Sequence, residues 1–89
     1  MASITRIYHP NAYLKTIKNV RSGLVARTKI LELLDQQAFS ASRIAKDAKV
    51  TYSVAMHHLR LLNDEGIVQR RGSRRYVWLL TGFGQTQLN

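Results

Sequence analysis

The stretch that decides the fold is residues 39–68, FSASRIAKDAKVTYSVAMHHLRLLNDEGIV. Ser40 and Thr51 each precede an apolar pattern with helical spacing, and both are favoured N-cap residues because a hydroxyl oxygen accepts from an N–H of the first turn. Gly66 follows the second pattern, where glycine commonly ends a helix. The stretch therefore predicts a short helix, a tight turn and a longer helix, together spanning residues 40–65.

A β-hairpin is predicted directly after these helices, over residues 67–80. Two β-prone runs, 67–71 and 75–80, are joined around Gly72 and Ser73, which are typical turn residues. Because side chains alternate along a strand, one face of the second run should carry Tyr76, Trp78 and Leu80.

Two further helices are predicted upstream of residue 39. Pro10 suits the first turn of a helix that runs to about Arg21, and a longer amphipathic helix is predicted over residues 24–37. Ser22 and Gly23 separate the two as a break or a cap. The chain thus reads as one domain, residues 1–89, with a basic N-terminal extension or helix over residues 1–21 and a tail or short helix over residues 81–89.

The composition points to a polyanionic partner. The 89 residues include 14 Lys+Arg against 5 Asp+Glu, which gives a formal net charge of +9, and there is no cysteine. The absence of cysteine excludes disulfides and thiolate metal sites, and the charge makes nucleic acid the leading partner. The apolar runs are too short for a membrane span and no secretory signal is evident, so we expect no membrane partner and a cytoplasmic, nucleoid-associated location.

Four segments in order resemble ArsR-type transcriptional regulators. Residues 39–45 are similar to their "LSxSELA" opening, residues 53–62 to "STVSHHLKVL", residues 63–68 to "REAGLV", and residues 80–84 to the "LTxxG" exit. The resemblance implies a mainly α domain with a small β-hairpin wing (α+β), a winged helix-turn-helix with an added N-terminal helix. Lys49 stands where the family often has glycine, so it must adopt a left-handed conformation or the turn must differ.

The longer helix is the expected recognition helix. At 100° per residue, Ala55, Leu59 and Leu62 face the core, and the opposite side faces a DNA major groove. Arginine can bind guanine or a phosphate, serine and histidine can donate or accept, and methionine can contact a thymine methyl. The DNA-binding residues predicted in the helix-turn-helix are Ser42, Arg43, Thr51, Tyr52, Ser53, Met56, His57 and Arg60.

The hairpin carries a second set of predicted DNA contacts. Four arginines flank its turn and could straddle a phosphate backbone or enter the minor groove: Arg70, Arg71, Arg74 and Arg75. The alternative is a solvated strand edge made basic to discourage pairing with another strand.

Metal binding and catalysis have little support in the sequence. His57 and His58 point about 100° apart on a helix, so they cannot chelate one ion from the same face, and His9 is distant in sequence. His58 falls at the edge of the core face and is expected to be packed and hydrogen-bonded. No nucleophile–base pair or carboxylate pair can be proposed. We expect no metal, no cofactor and no enzymatic activity.

The N-terminal helix has two interpretations. Its apolar residues could cover the domain's own core or pair with a second copy, as small regulators of this type usually dimerise through terminal helices. The predicted dimer contacts are Tyr13, Leu14, Ile17 and Val20. The predicted function is a sequence-specific, homodimeric regulator of transcription that binds double-stranded DNA. The alternatives are an architectural protein with little sequence preference and an RNA- or protein-interaction module.

Overall fold

The computed structural model describes residues 8–15 and 18–82. The elements in chain order are a 3₁₀ turn Pro10–Ala12, three α-helices, α1 (Arg21–Leu34), α2 (Ala41–Ala48) and α3 (Tyr52–Asp64), and two strands, β1 (Val68–Arg71) and β2 (Val77–Leu80). The strands form an antiparallel hairpin with Val68 opposite Leu80 and Arg71 opposite Val77. Three helices followed by this hairpin confirm the predicted winged helix-turn-helix.

The helix-turn-helix is shaped by its caps, as the sequence predicts. The Ser40 hydroxyl accepts from the Arg43 N–H at 3.2 Å, and the Thr51 hydroxyl accepts from the Val54 N–H at 3.1 Å. Lys49 ends α2 with φ 60° and ψ 44°, the left-handed conformation required of it in the absence of glycine. This single residue turns the chain sharply enough for α3 to begin three positions later.

The hairpin is attached to the helices by a backbone bridge. Phe39, just before α2, exchanges two hydrogen bonds with Trp78 of β2, at 3.1 and 2.8 Å. Trp78 and Leu80 are buried, but Tyr76 precedes β2 and is exposed, so its predicted place beside them in the strand is wrong. The wing is therefore held along β2, where Trp78 packs, and is exposed at its turn.

One core joins all the elements. Ala55, Leu59 and Leu62 of α3 are completely buried, which confirms the predicted core face of that helix. They pack with buried residues of the other elements, among them Ile30, Leu31, Ile44 and Val68. None of the helices in the described part of the chain is long and apolar enough to cross a membrane.

The predicted N-terminal helix over residues 10–21 is wrong. In the described part of this range, residues 10–15 and 18–21, only the 3₁₀ turn Pro10–Ala12 forms before α1, Val20 is extended with φ −93° and ψ 156°, and α1 begins at Arg21. Ser22 and Gly23 lie inside α1 rather than breaking it, and α1 ends at Leu34, three residues before its predicted end. The prediction for Ile17, and that for a C-terminal element beyond residue 82, lie outside the described residues.

Hydrogen bonds from side chains, rather than the backbone hydrogen bonds of a helix, hold the N-terminal segment. Asn19 accepts from the Leu14 N–H at 2.7 Å and donates to the Leu14 carbonyl at 2.9 Å. The Glu65 carboxylate accepts from the Lys15 N–H at 2.7 and 2.8 Å. These bonds satisfy backbone groups that an α-helix would pair internally. The described residues of this segment, 8–15 and 18–20, pack against α1 and the end of α3, and we call them the strap. Leu14 is thereby buried in the protomer's own core.

Candidate nucleic-acid interface

Two adjoining concave surfaces lie between α3 and the wing. One part, of about 450 Å³, is bounded by the start of α2, the start of α3 and the hairpin turn, and a second part, of about 380 Å³, lies further along α3. The two parts share Met56, Arg70 and Trp78. We call this surface the wing groove; it is lined by Ser40, Ala41, Ser42, Tyr52, Met56, Arg60, Asn63, Gln69, Arg70, Arg74, Arg75, Tyr76 and Trp78.

The charge of the wing groove is entirely positive. Arg60 enters it from α3, and Arg70, Arg74 and Arg75 enter it from the hairpin, while none of its lining residues is acidic. The Arg70 guanidinium lies 4.2 Å from the centre of the Tyr76 ring, a cation–π distance that holds the arginine beside the groove. A groove with four cations and no carboxylate suits a polyanion.

The groove also offers polar groups that could read bases. Arg60 and Asn63 lie one helical turn apart on α3, both exposed, and Gln69 faces them from β1. Asn63 and Gln69 were not predicted as site residues, although Asn63 sits at position i+3 from Arg60, a spacing that places two side chains on one helix face. Tyr52, exposed at the first position of α3, closes the other end.

The structure brings together only part of the predicted site. Arg43 is paired with Asp47 at 2.7 Å and lies over the Phe39 ring, so its charge is already partnered. The hydroxyl oxygen of Thr51 is used in the α3 cap. The predicted residues that line the wing groove are Ser42, Tyr52, Met56, Arg60, Arg70, Arg74 and Arg75; those that do not are Arg43, Thr51, Ser53, His57 and Arg71.

His57 lies on the other side of α3. It is exposed, contacts the His58 ring edge-on with centroids 4.9 Å apart, and lines a cleft between α1 and α3 rather than the wing groove.

A buried arginine beneath α3 is the main feature that the sequence reading missed. Arg27 of α1 is only 2% exposed. Its Nε donates to the Ala12 carbonyl at 2.6 Å, one terminal nitrogen donates to Asn19 at 3.0 Å, and the other lies 3.3 Å from Nδ1 of His58. Its burial could have been predicted from its position, because residue 27 lies three residues after Leu24 and four before Leu31, on the apolar face of α1.

The Arg27–His58 contact fixes the state of the imidazole. Arginine can only donate, so Nδ1 of His58 is the acceptor and the neutral ring carries its proton on Nε2. Burial, and to a lesser degree the charges of Arg27 and His57, together lower the pKa of His58 from 6.5 to about 4. Burial also lowers the pKa of Arg27, and the charge of Glu65 partly offsets this. His58 is therefore packed, hydrogen-bonded and neutral, which confirms its predicted structural role.

The remaining histidine is part of the strap. The Nδ1 of His9 accepts from the Asn11 N–H at 3.0 Å, and its Nε2 donates to the Asp35 carboxylate at 3.1 Å. Across residues 8–15 and 18–82, no three His, Cys, Asp or Glu residues come together as a set of metal ligands.

These features define a class of protein. Two helices at a tight turn, a basic groove along the second of them and an antiparallel hairpin at its edge are the parts of a winged helix-turn-helix DNA-binding domain. The model of the family described as bacterial regulatory protein, arsR family, matches residues 25–70, more than half of the chain. The chain belongs to this family.

Individual relatives agree with that assignment. The chain is 33% identical over 67 residues to an uncharacterized HTH-type transcriptional regulator, B-115, of Sulfolobus spindle-shape virus 1, an alignment that covers 72% of this chain and 58% of the relative. It also resembles the solution structure of the homodimeric winged helix-turn-helix DNA-binding domain of Mb0332 from Mycobacterium bovis, a possible ArsR-family transcriptional regulator. That match has a TM-score of 0.64, 26% identity and coverage of 71% of this chain and 59% of the other.

A more distant structure supports the fold alone. A mutant of ZitR from Lactococcus lactis matches with a TM-score of 0.65 at 20% identity, over 81% of this chain and 49% of that one. The chain thus spans 49–59% of the length of these three relatives.

Proposed function

We propose that this protein is a sequence-specific regulator of transcription that binds double-stranded DNA, with α3 in the major groove and the wing arginines on the phosphate backbone or in the minor groove. The observation that carries the proposal is the wing groove. It puts the exposed face of a recognition-type helix and three wing arginines on one surface, with no carboxylate among the lining residues. Family membership supports DNA binding in general, and the groove supports this particular arrangement.

The two walls of the groove are proposed to do different work. Arg60, Met56 and Asn63 project from α3 and suit base edges, because guanine accepts from arginine and adenine pairs with asparagine. Arg70, Arg74 and Arg75 suit phosphates, which position the protein without carrying sequence information. His57, at the edge of α3, stays a candidate base contact that requires the DNA to reach beyond the groove.

We further propose a symmetric homodimer, which would set two α3 helices in successive major grooves about 34 Å apart. The M. bovis neighbour is homodimeric by its description. Of the proposed contact residues, Tyr13 and Val20 are 50% and 52% exposed, whereas Leu14 is occupied by its own core. Sedimentation that shows only monomer at tens of micromolar, with and without DNA, would contradict this.

The test begins with selection of bound sequences from a random DNA pool at fixed salt. Arg60→Ala and Arg74→Ala are then titrated against the selected duplex and a scrambled duplex at several salt concentrations. Arg60→Ala should cost about 1–3 kcal/mol on the selected site and much less on the scrambled one. Arg74→Ala should weaken both equally and reduce the salt slope by about 0.9.

The matched control is Lys29→Ala, which removes one positive charge from α1, outside the wing groove. It should leave both affinities close to the wild-type values. Equal losses on both duplexes for Arg60→Ala and Arg74→Ala would favour an architectural protein, and tighter binding of RNA than of either duplex would favour an RNA-interaction module.

A further inference from the structure

A second concave surface lies behind α3, on the side away from the wing. This α1–α3 cleft has a volume of about 860 Å³, within the range of about 300–1,000 Å³ typical of small-molecule sites. Its walls are largely aliphatic: Val20, Val25, Val50, Val54 and Leu61. Val54 is 39% exposed, so the lining includes apolar surface that the described fold leaves in contact with water.

The cleft is also positively charged. Lys18, Arg21 and Lys29 are exposed at its edge, and Arg27 lines it from within. None of the described residues that line the cleft is acidic. Among the described residues, the Arg27 guanidinium bonds to a backbone carbonyl, an amide oxygen and a neutral imidazole, and Glu65 supplies an opposing charge that acts on it.

His58 adds an unused donor to the same cleft. Its Nδ1 is taken by Arg27, so the neutral ring carries its hydrogen on Nε2, and that nitrogen has no hydrogen-bond partner among the described residues. His58 as a whole is only 8% exposed. Because His58 lines the cleft, a ligand that brings an acceptor there would bond to this N–H in place of water.

We propose that the α1–α3 cleft binds an anionic amphiphile, a small molecule with a carboxylate head and an unbranched aliphatic body. The carboxylate would accept from Arg27 and from Nε2 of His58, and the aliphatic body would lie along Val50, Val54 and Leu61. A second copy of the chain fits less well, because the cations at the edge of each cleft would face one another.

The first test needs only the 89-residue chain and a series of alkanoates. Hexanoate, octanoate and decanoate are titrated calorimetrically at pH 7, below their micellar concentrations. Affinity should rise about fourfold for each added methylene, the factor expected for burying one CH₂. Decanol, which lacks the charge, should bind at least about tenfold more weakly than decanoate. Absence of saturable decanoate binding would overturn the proposal.

A pair of variants locates the binding. Val54→Glu puts a like charge in the aliphatic wall at a partly exposed position, and it should reduce decanoate affinity more than about tenfold while the circular dichroism spectrum is unchanged. Arg74→Ala, the matched control, removes a charge from the wing groove and should bind decanoate as the wild type does. Unchanged decanoate binding by Val54→Glu would overturn the proposal.

A third measurement separates this site from a dimer contact and from DNA binding. If Val54→Glu converts a dimer to a monomer in sedimentation while the wild type binds no decanoate, a second copy covers the cleft and the proposal is wrong. Because decanoate binding is measured without DNA, a failure here leaves the proposed DNA-binding function untouched. Arg74→Ala should weaken DNA binding and keep decanoate binding, and that dissociation would support two separate surfaces.

Discussion

The buried imidazole of His58 should make the protein lose stability in mild acid. Its pKa is lowered to about 4 in the folded state, chiefly by burial, against 6.5 for an ordinary histidine. Between these two pH values the unfolded chain binds a proton that the folded protein excludes, so the free energy of unfolding falls as the pH drops from about 6.5 to about 4. Above pH 6.5 both states are neutral at this residue and its contribution is constant.

The size of the effect follows from the displacement of the pKa. The full displacement of the pKa corresponds to about 3 kcal/mol in the free energy of unfolding. Solvent screening on the cleft side reduces the expected loss of stability to about 1–2 kcal/mol. Urea unfolding is measured from pH 7.5 to pH 4.5 for the wild type, His58→Asn and His57→Asn. Asparagine at position 58 keeps an acceptor for Arg27 but cannot titrate, so this variant should lose the His58 part of the pH dependence.

His57→Asn is the matched control because it removes the exposed neighbour and leaves the buried ring. It should retain most of the wild-type slope. Parallel pH profiles for the wild type and His58→Asn would refute the argument, and so would an imidazole titration of His58 near pH 6.5 in the folded protein by NMR.

Three further predictions concern stability and are checked by urea or thermal unfolding. Lys49→Gly should stabilise the protein by about 1 kcal/mol, because the left-handed backbone strains a lysine but not a glycine; a loss of stability would mean that the lysine side chain makes a needed contact. Gly72→Ala should destabilise by about 1–3 kcal/mol, because φ is +111° and a Cβ would collide with the Arg75 carbonyl oxygen; wild-type stability would show that the turn can rearrange. Leu59→Ala should cost about 2–5 kcal/mol as a cavity forms in the core, and a cost under about 1 kcal/mol would contradict the burial of this side chain.

The sequence was sufficient wherever local chemistry determines structure. Ser40 and Thr51 act as caps because a hydroxyl oxygen reaches an N–H three residues on, an interaction within one turn. Gly66 follows α3 with a φ of +75° and stops the helix there. Gly72 shapes the hairpin turn, again through its own backbone conformation. The helical period of α3 also separated its core face from its exposed face correctly.

The sequence failed where a distant residue replaces a local partner. The spacing of Tyr13, Leu14 and Val20 suits a helix, but the backbone there is bonded by Asn19, Arg27 and Glu65 instead. The spacing of the apolar residues does not predict those hydrogen bonds. The predicted break at Gly23 fails for a related reason: a Cβ at that position would lie 2.8 Å from Arg27, so the glycine makes room for the buried guanidinium inside α1.

About half of the residues that line the wing groove could be predicted from the sequence. The wing arginines and the outer face of α3 follow from charge and helical geometry. Which of them share one groove depends on how the hairpin packs against α3, a long-range contact that charge and helical period do not encode. Arg60 joins the wing groove and His57 does not, although the two are three residues apart.

The strap has a consequence for the order in which the chain is assembled. The hydrogen bonds between the Lys15 N–H and the Glu65 carboxylate join residues 50 positions apart, beside others at separations of 15 and 19. During synthesis the strap leaves the ribosome before α3, yet its last anchor does not exist until the end of α3 has emerged. The strap is therefore translated before the helices on which it packs but docks after them, and its docking completes the fold rather than starting it.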